Sequence, residues 1–223
     1  MRSLSRPRPA VSLLTLAGLA LLATSVVATW TPGAFAEDPA KVPELYESSF
    51  AHEATGDIDR ALNDVLSILR ATPDSYVANL RAGWLYYSKG RYEDSVRFYD
   101  KASQLAPKAV EPHLGRMLPL MAAGRWAETE RAGKRVLTSS PRNYLATSRM
   151  AYAAFVQGRY KEAERLYGEV LGDYPSDTEM MLGLGWTYVK EGRSAEARSM
   201  FEAVLLIRRD NVNAKAGLQA VGG

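Results

Sequence analysis

Residues 76–109 read YVANLRAGWLYYSKGRYEDSVRFYDKASQLAPKA. Gly90 stands where a first helix must end, at the left-handed backbone position that costs a residue with a Cβ about 1 kcal/mol or more. Pro107 stands at the end of a second helix, where it forbids continuation and pushes its predecessor out of the α region. Working outward, the same marks recur: Gly56, Gly90, Gly124, Gly158 and Gly192 are 34 apart, and so are Pro73, Pro107, Pro141 and Pro175, with Arg209 in the next place. Two independent registers with one period identify an internal repeat. First helices are predicted near 43–55, 76–89, 111–123, 144–157 and 178–191, and second helices near 58–72, 92–106, 126–140, 160–173 and 194–208.

Other positions keep step. Two residues after each glycine stands a bulky residue, Ile58, Tyr92, Trp126 or Tyr160, with Ser194 the exception. Small residues follow at Ala61, Ser95, Thr129, Ala163 and Ala197, where two helices must approach closely. Large apolar residues recur at Val65, Tyr99, Tyr167 and Phe201, and Gly133 is the gap in that series.

With this period and these marks the chain resembles the tetratricopeptide repeat family over residues 42–211. The resemblance implies an all-α fold, a right-handed α-solenoid of five helix-turn-helix units (42–75, 76–109, 110–143, 144–177 and 178–211). Residues 212–223 then form a capping helix and tail, marked by Val212, Ala214, Leu218 and Val221. Such caps cover the open end of a solenoid and keep it soluble.

The third unit departs from the pattern. Met117 replaces the small residues Ser49, Gly83, Ala151 and Gly185 of the other units, Pro119 falls inside a first helix, and Gly115 and Gly133 loosen both helices. A proline there costs about 3 kcal/mol or forces a kink. Either a bend in the middle of the solenoid or neutral drift of one unit accounts for this.

Residues 1–36 read as an export leader. Arg2, Arg6 and Arg8 precede an apolar run from Val11 to Ala28, Pro32 and Gly33 break it, and Ala34-Phe35-Ala36 offers a small-x-small cleavage site. Residues 37–41 would be a short linker. Left uncut, the run would anchor the chain in the inner membrane with its repeats on the periplasmic side. Cleaved, the protein is expected free in the periplasm. The leader carries all of the formal net charge of +3, so the remainder is neutral and nucleic acid is a poor partner. Without cysteine there is no disulfide, no thiolate metal site and no lipid anchor on the leader. Absence of an Asn-x-Ser/Thr acceptor points to a bacterial envelope.

Catalytic, cofactor and metal sites are not expected. His52 and His113 fall on positions that face a partner helix, and His52-Glu53 lacks the second histidine of a zinc-protease motif. Leu182-Gly183-Leu184-Gly185 lies within a helix and follows no strand, so it is no phosphate cradle.

Function in such solenoids lives on the concave face of the first helices. The family's groove positions are the second, fifth, ninth, twelfth and thirteenth of each unit. Here the ninth gives Phe50, Trp84, Leu118, Tyr152 and Trp186; the fifth gives Tyr46, Leu80, Leu114, Ser148 and Leu182; the twelfth gives Glu53, Tyr87, Met121, Phe155 and Val189. Positions five, nine and twelve share a helix face. Where the family often has Asn at the ninth position this chain has five apolar residues, and the Lys and Asn that clamp a C-terminal carboxylate in chaperone-tail binders are missing. The stripe reads as a groove for an apolar helix or extended peptide held by aromatic anchors; packed between units, the same rings would instead be core. Arg91, Arg125, Arg159 and Arg193 line the turn edge, either complementing helix dipoles or facing an anionic partner. The function expected is an envelope scaffold for assembly, secretion or polysaccharide export, with protein partners; the alternative is a structural protein that assembles with its own copies.

Overall fold

The computed structural model describes residues 39–222. The expected leader, residues 1–36, lies outside the described residues. After a single 3-10 turn, Pro39–Lys41, the described chain is helical throughout: α1 (Val42–Ala54), α2 (Ile58–Ala71), α3 (Tyr76–Ser88), α4 (Tyr92–Leu105), α5 (Glu111–Ala122), α6 (Trp126–Ser139), α7 (Tyr144–Val156), α8 (Tyr160–Asp173), α9 (Thr178–Lys190), α10 (Ser194–Ile207) and α11 (Val212–Ala220). Among the described residues no helix is long and apolar enough to cross a membrane.

Every first helix ends alike. The marker glycine takes a φ between +68° and +81°, and the N–H that follows it reaches back to a carbonyl five residues earlier: Asp57 to His52, Arg91 to Tyr86, Arg125 to Leu120, Arg159 to Ala154 and Arg193 to Tyr188. This closes the orphan carbonyls of the last turn and aims the chain back along the helix it has left. The first four second helices each stop two residues before their proline, and α10 stops at the same register before Arg209. Except for α1, which starts from Lys41 with no side-chain cap, and α5, the first helices and α11 start on caps at the same register. Ser75, Asn143, Asp177 and Asn211 accept hydrogen bonds from the N–H three residues on. Ala109 occupies that place in the third unit and cannot cap, and α5 starts one residue late, from Val110 with no side-chain cap.

Paired helices close over the small residues, Ala61, Ser95, Thr129, Ala163 and Ala197, all without exposed surface. Val65, Tyr99, Tyr167 and Phe201 are buried beside them. The third unit inverts one pair of sizes. A Cβ on Gly133 would lie 2.5 Å from Met150 Sδ and 3.1 Å from Met117 Cε, so those two methionines fill the space left by the missing large side chain. Met117 is therefore fully buried. The expectation of a loosened unit does not hold here: α5 runs unbroken through Pro119, and Met117, Pro119 and Leu120 are core.

First helices pack on one another as well as on their partners, α3 on α5, α5 on α7, α7 on α9 and α9 on α11, and no comparable pairing joins the second helices. The layer whose members meet is the inner one. Its free face lines a groove.

Candidate functional site

The ninth-position residues face that groove to different degrees. Phe50, Trp84 and Tyr152 are 55%, 40% and 46% exposed, whereas Leu118 and Trp186 are half-buried. Trp186 sits edge-on to Phe201 with ring centroids 5.4 Å apart, and its Nε1 donates to Asn213 Oδ1 of α11 at 2.8 Å. Leu182, expected on the groove surface, is 4% exposed and belongs to the core around Phe201, because the ring of Phe201 draws α9 against α10. The stripe is thus partly open surface and partly inter-unit packing.

Two apolar hollows open along it. The first, about 380 Å³, is lined by Phe50, Val77, Leu80, Arg81, Trp84, Tyr99, Glu111 and Gly115. The second, about 260 Å³, is lined by Ser148, Tyr152, Phe155, Tyr167, Glu179, Met180, Leu182, Gly183, Trp186 and Asn213. Of the residues singled out in the sequence, Phe50, Leu80, Trp84, Tyr152, Phe155, Leu182 and Trp186 are brought together here. Tyr46, Tyr87, Leu114, Leu118, Met121 and Val189 line neither hollow and are half-buried between helices. Val77, Glu111 and Glu179 were missed although they occupy the second position of their units. Tyr99 and Tyr167 belong to second helices and reach the groove from beneath.

The sixth position of the first helix decides where the floor is open. It is Arg81, Gly115, Arg149 and Gly183 in successive units. A Cβ on Gly115 would lie 2.3 Å from the ring of Tyr99, and one on Gly183 2.4 Å from the ring of Tyr167. A large ring on the preceding second helix therefore requires glycine, and glycine leaves the ring in view of the groove. Where that helix carries Val65 or Gly133 instead, the register supplies an arginine. Burial pushes the Tyr99 hydroxyl up to about 12, so it stays a neutral phenol at physiological pH.

Arg81 is 9% exposed and fills its gap under Phe50, with the guanidinium carbon 3.7 Å from the ring centroid. Its Nε donates to Ser49 Oγ at 2.9 Å and its Nη1 pairs with Glu53 Oε2 at 2.8 Å, while Glu53 Oε1 accepts from Trp84 Nε1 at 2.5 Å. Glu53 is thereby held by two groups and orients Trp84. Arg149 fills the other gap and donates to the Leu114 carbonyl at 2.7 Å. Burial lowers the Arg149 pKa.

The arginines of the turn edge cap nothing with their side chains but form ion pairs. Arg91, Arg125, Arg159 and Arg193 meet Asp94, Glu128, Glu162 and Glu196 three residues on, and Arg159 and Arg193 also meet Glu130 and Glu164 of the unit before. Each edge arginine thus has a carboxylate partner, although Asp94 is shared with Arg97 and Glu128 with Arg116 and Arg131. Hydrogen bonds from Arg125 hold Glu128 below the usual carboxylate range, and those from Arg193 do the same to Glu164 and Glu196. A carboxylate lowered in the folded state stabilises above its unfolded pKa, and that contribution is lost as pH falls through the folded value. Thermal melts followed by circular dichroism are therefore expected to show the midpoint falling between about pH 5 and pH 3, with a smaller fall when salt already screens these exposed pairs. A midpoint flat across that window would contradict it.

Both histidines are half-buried against partner helices. His52 Nδ1 lies 2.9 Å from Asp64 Oδ2 on α2, and burial, then Arg135 and Arg116, lower the His113 pKa.

Comparison with known proteins agrees with this geometry. Family models described as tetratricopeptide repeat match residues 51–110 and 154–221. A Protein CTR9 homolog of Arabidopsis thaliana is 31% identical over 129 residues, 57% of this chain but 12% of that protein, so the chain spans a small part of the relative's length. Among solved structures, a tetratricopeptide repeat protein from Parabacteroides merdae is similar with a TM-score of 0.74 at 17% identity, covering 82% of this chain and 72% of that one. The crystal structure of MamA protein is similar with a TM-score of 0.69 at 17% identity, covering 77% and 94%. At these identities the likeness is one of fold. With the 34-residue units, their left-handed glycines and the paired helices, the chain belongs to the tetratricopeptide repeat family.

Proposed function

We propose that the chain is a non-catalytic adaptor whose inner groove holds an apolar segment of a partner protein in the bacterial envelope, in assembly, secretion or polysaccharide export. The observation that carries this reading is the exposure of Phe50, Trp84 and Tyr152 along one groove, beside hollows of about 380 and 260 Å³. Large rings bury roughly 150–250 Å² each when covered, and aromatic anchors at the centre of an interface carry most of its affinity. Solenoids of this family act in general as protein-interaction scaffolds. The export leader read in residues 1–36 supports the periplasm as the address.

Trp186 is tied to Phe201 and Asn213, so truncating it would disturb the fold as well as the groove. The test is Trp84→Ala combined with Tyr152→Ala, two exposed rings. Capture of partners from envelope extract is expected to fall by tenfold or more, since hot-spot rings contribute about 2 kcal/mol or more each, with helical content unchanged by circular dichroism. A double variant that retains the same proteins as the wild type would sink the groove reading.

Self-assembly is the second reading. Leu206, Ile207 and Val212 are exposed together where α10 passes to α11, an apolar end on which a second copy could pack. Light scattering across concentration, with Leu206→Glu as control, separates the two: an adaptor stays monomeric without its partner.

A further inference from the structure

The groove is built on two units, not one. The hollows recur at a spacing of 68 residues: Tyr99 and Tyr167 floor them, Gly115 and Gly183 open them, Trp84 and Tyr152 wall them, and Glu111 and Glu179 stand on their lips. Between them Arg149 stands at the sixth position, and Arg81, again 68 apart, borders the first hollow. The alternation follows the size rule at the sixth position, with glycine where a Cβ would strike the ring of Tyr99 or Tyr167 and arginine where the preceding second helix carries Val65 or Gly133.

Each lip carries a carboxylate. Glu111 accepts from Tyr76 Oη at 2.6 Å. Glu179 lies 3.5 Å from Arg208, with both side chains more than half exposed, where an ion pair is worth little. A site that is apolar at its base and anionic at its rim, twice over, complements an apolar side chain flanked by a cation, also twice over.

Resting on the groove reading above, we propose that the ligand is one extended polypeptide segment that seats two apolar side chains, each neighboured by Lys or Arg, in the two hollows at once. Packed helices lie about 8–10 Å apart, so hollows separated by two first helices are about 16–20 Å apart. At about 3.3 Å per residue that distance spans about five to six residues, and of these only a spacing of six places both anchors on one face of the strand.

A random dodecapeptide library displayed on phage and selected against residues 37–223 tests this. Expected peptides carry two apolar residues about six apart with adjoining Lys or Arg. A labelled consensus peptide should bind the exposed double variant Glu111→Lys, Glu179→Lys about tenfold more weakly by fluorescence polarisation, and selection on that variant should return acidic flanks. Peptides with a single anchor, with acidic flanks on the wild type, or indifferent to the charge reversal overturn the two-hollow proposal while the groove stands. If no selected peptide loses binding on Trp84→Ala, Tyr152→Ala, both fall.

Discussion

Phe201→Ala is expected to lower the free energy of unfolding by about 3–5 kcal/mol, the usual cost of truncating a buried phenylalanine. Phe201 has no exposed surface. Its ring lies in a notch between Gly185 and Gly217, where a Cβ would come within 2.7 Å and 2.4 Å of it, and Trp186 packs on its edge. Two of the notch walls are glycine backbone, which cannot extend a side chain into the space. The ring joins α9, α10 and α11, so its loss should release the capping helix first, as a solenoid whose units touch only their neighbours frays from the damaged end. Hydrogen exchange should show protection lost in α11 and α10 before α1 to α4, and Trp186 fluorescence should change ahead of the main transition. An unchanged denaturation midpoint, or protection lost evenly along the chain, would show that Phe201 is not the joint described.

Met117→Ala is expected to cost about 2–5 kcal/mol, and a second substitution should recover part of it. Met117 is fully buried and occupies the volume that an aromatic ring fills in neighbouring units, opposite Gly133. Gly133→Leu alone should also destabilise, by about 1–3 kcal/mol from overpacking, because its Cβ would start 2.5 Å from Met150 Sδ. In the double variant the leucine grows into the space that Met117 leaves. Urea denaturation of all four proteins should give a coupling of at least about 0.5 kcal/mol, the loss in the double variant being smaller than the sum of the single losses. Strict additivity would mean that the two positions do not share one volume.

These expectations show how unevenly the molecule was legible. Gly90 and Pro107 announce helix ends because their effect is local: a positive φ and a missing N–H act within a few residues, whatever packs nearby. The caps at Ser75, Asn143, Asp177 and Asn211 went unread in the sequence and emerge from the structure, where Ala109 in the same place explains the late start of α5. Met117 was visible as an exception, with a bend and neutral drift both open as its reading. Only Gly133 and Met150 across the helix pair make it a space-filling core residue.

The groove divides in the same manner. The 34-residue spacing makes Phe50 to Trp186 equivalent positions, and the family resemblance implied, without coordinates, that they lie on the inner face. Whether such a ring stands open was another matter. Trp84 is open beside a hollow that Gly115 of the next first helix and Tyr99 also line; Trp186 is half-buried because Phe201 and Asn213 hold it. The helices, their turns and the face each residue occupies were determined by the sequence itself, since backbone dihedrals and helical period are properties of short stretches. The hollows, the closed gaps under Arg81 and Arg149, and the exchanged volumes of Met117 and Gly133 were decided only by tertiary structure, because the space at one residue depends on the size of side chains brought against it from other helices.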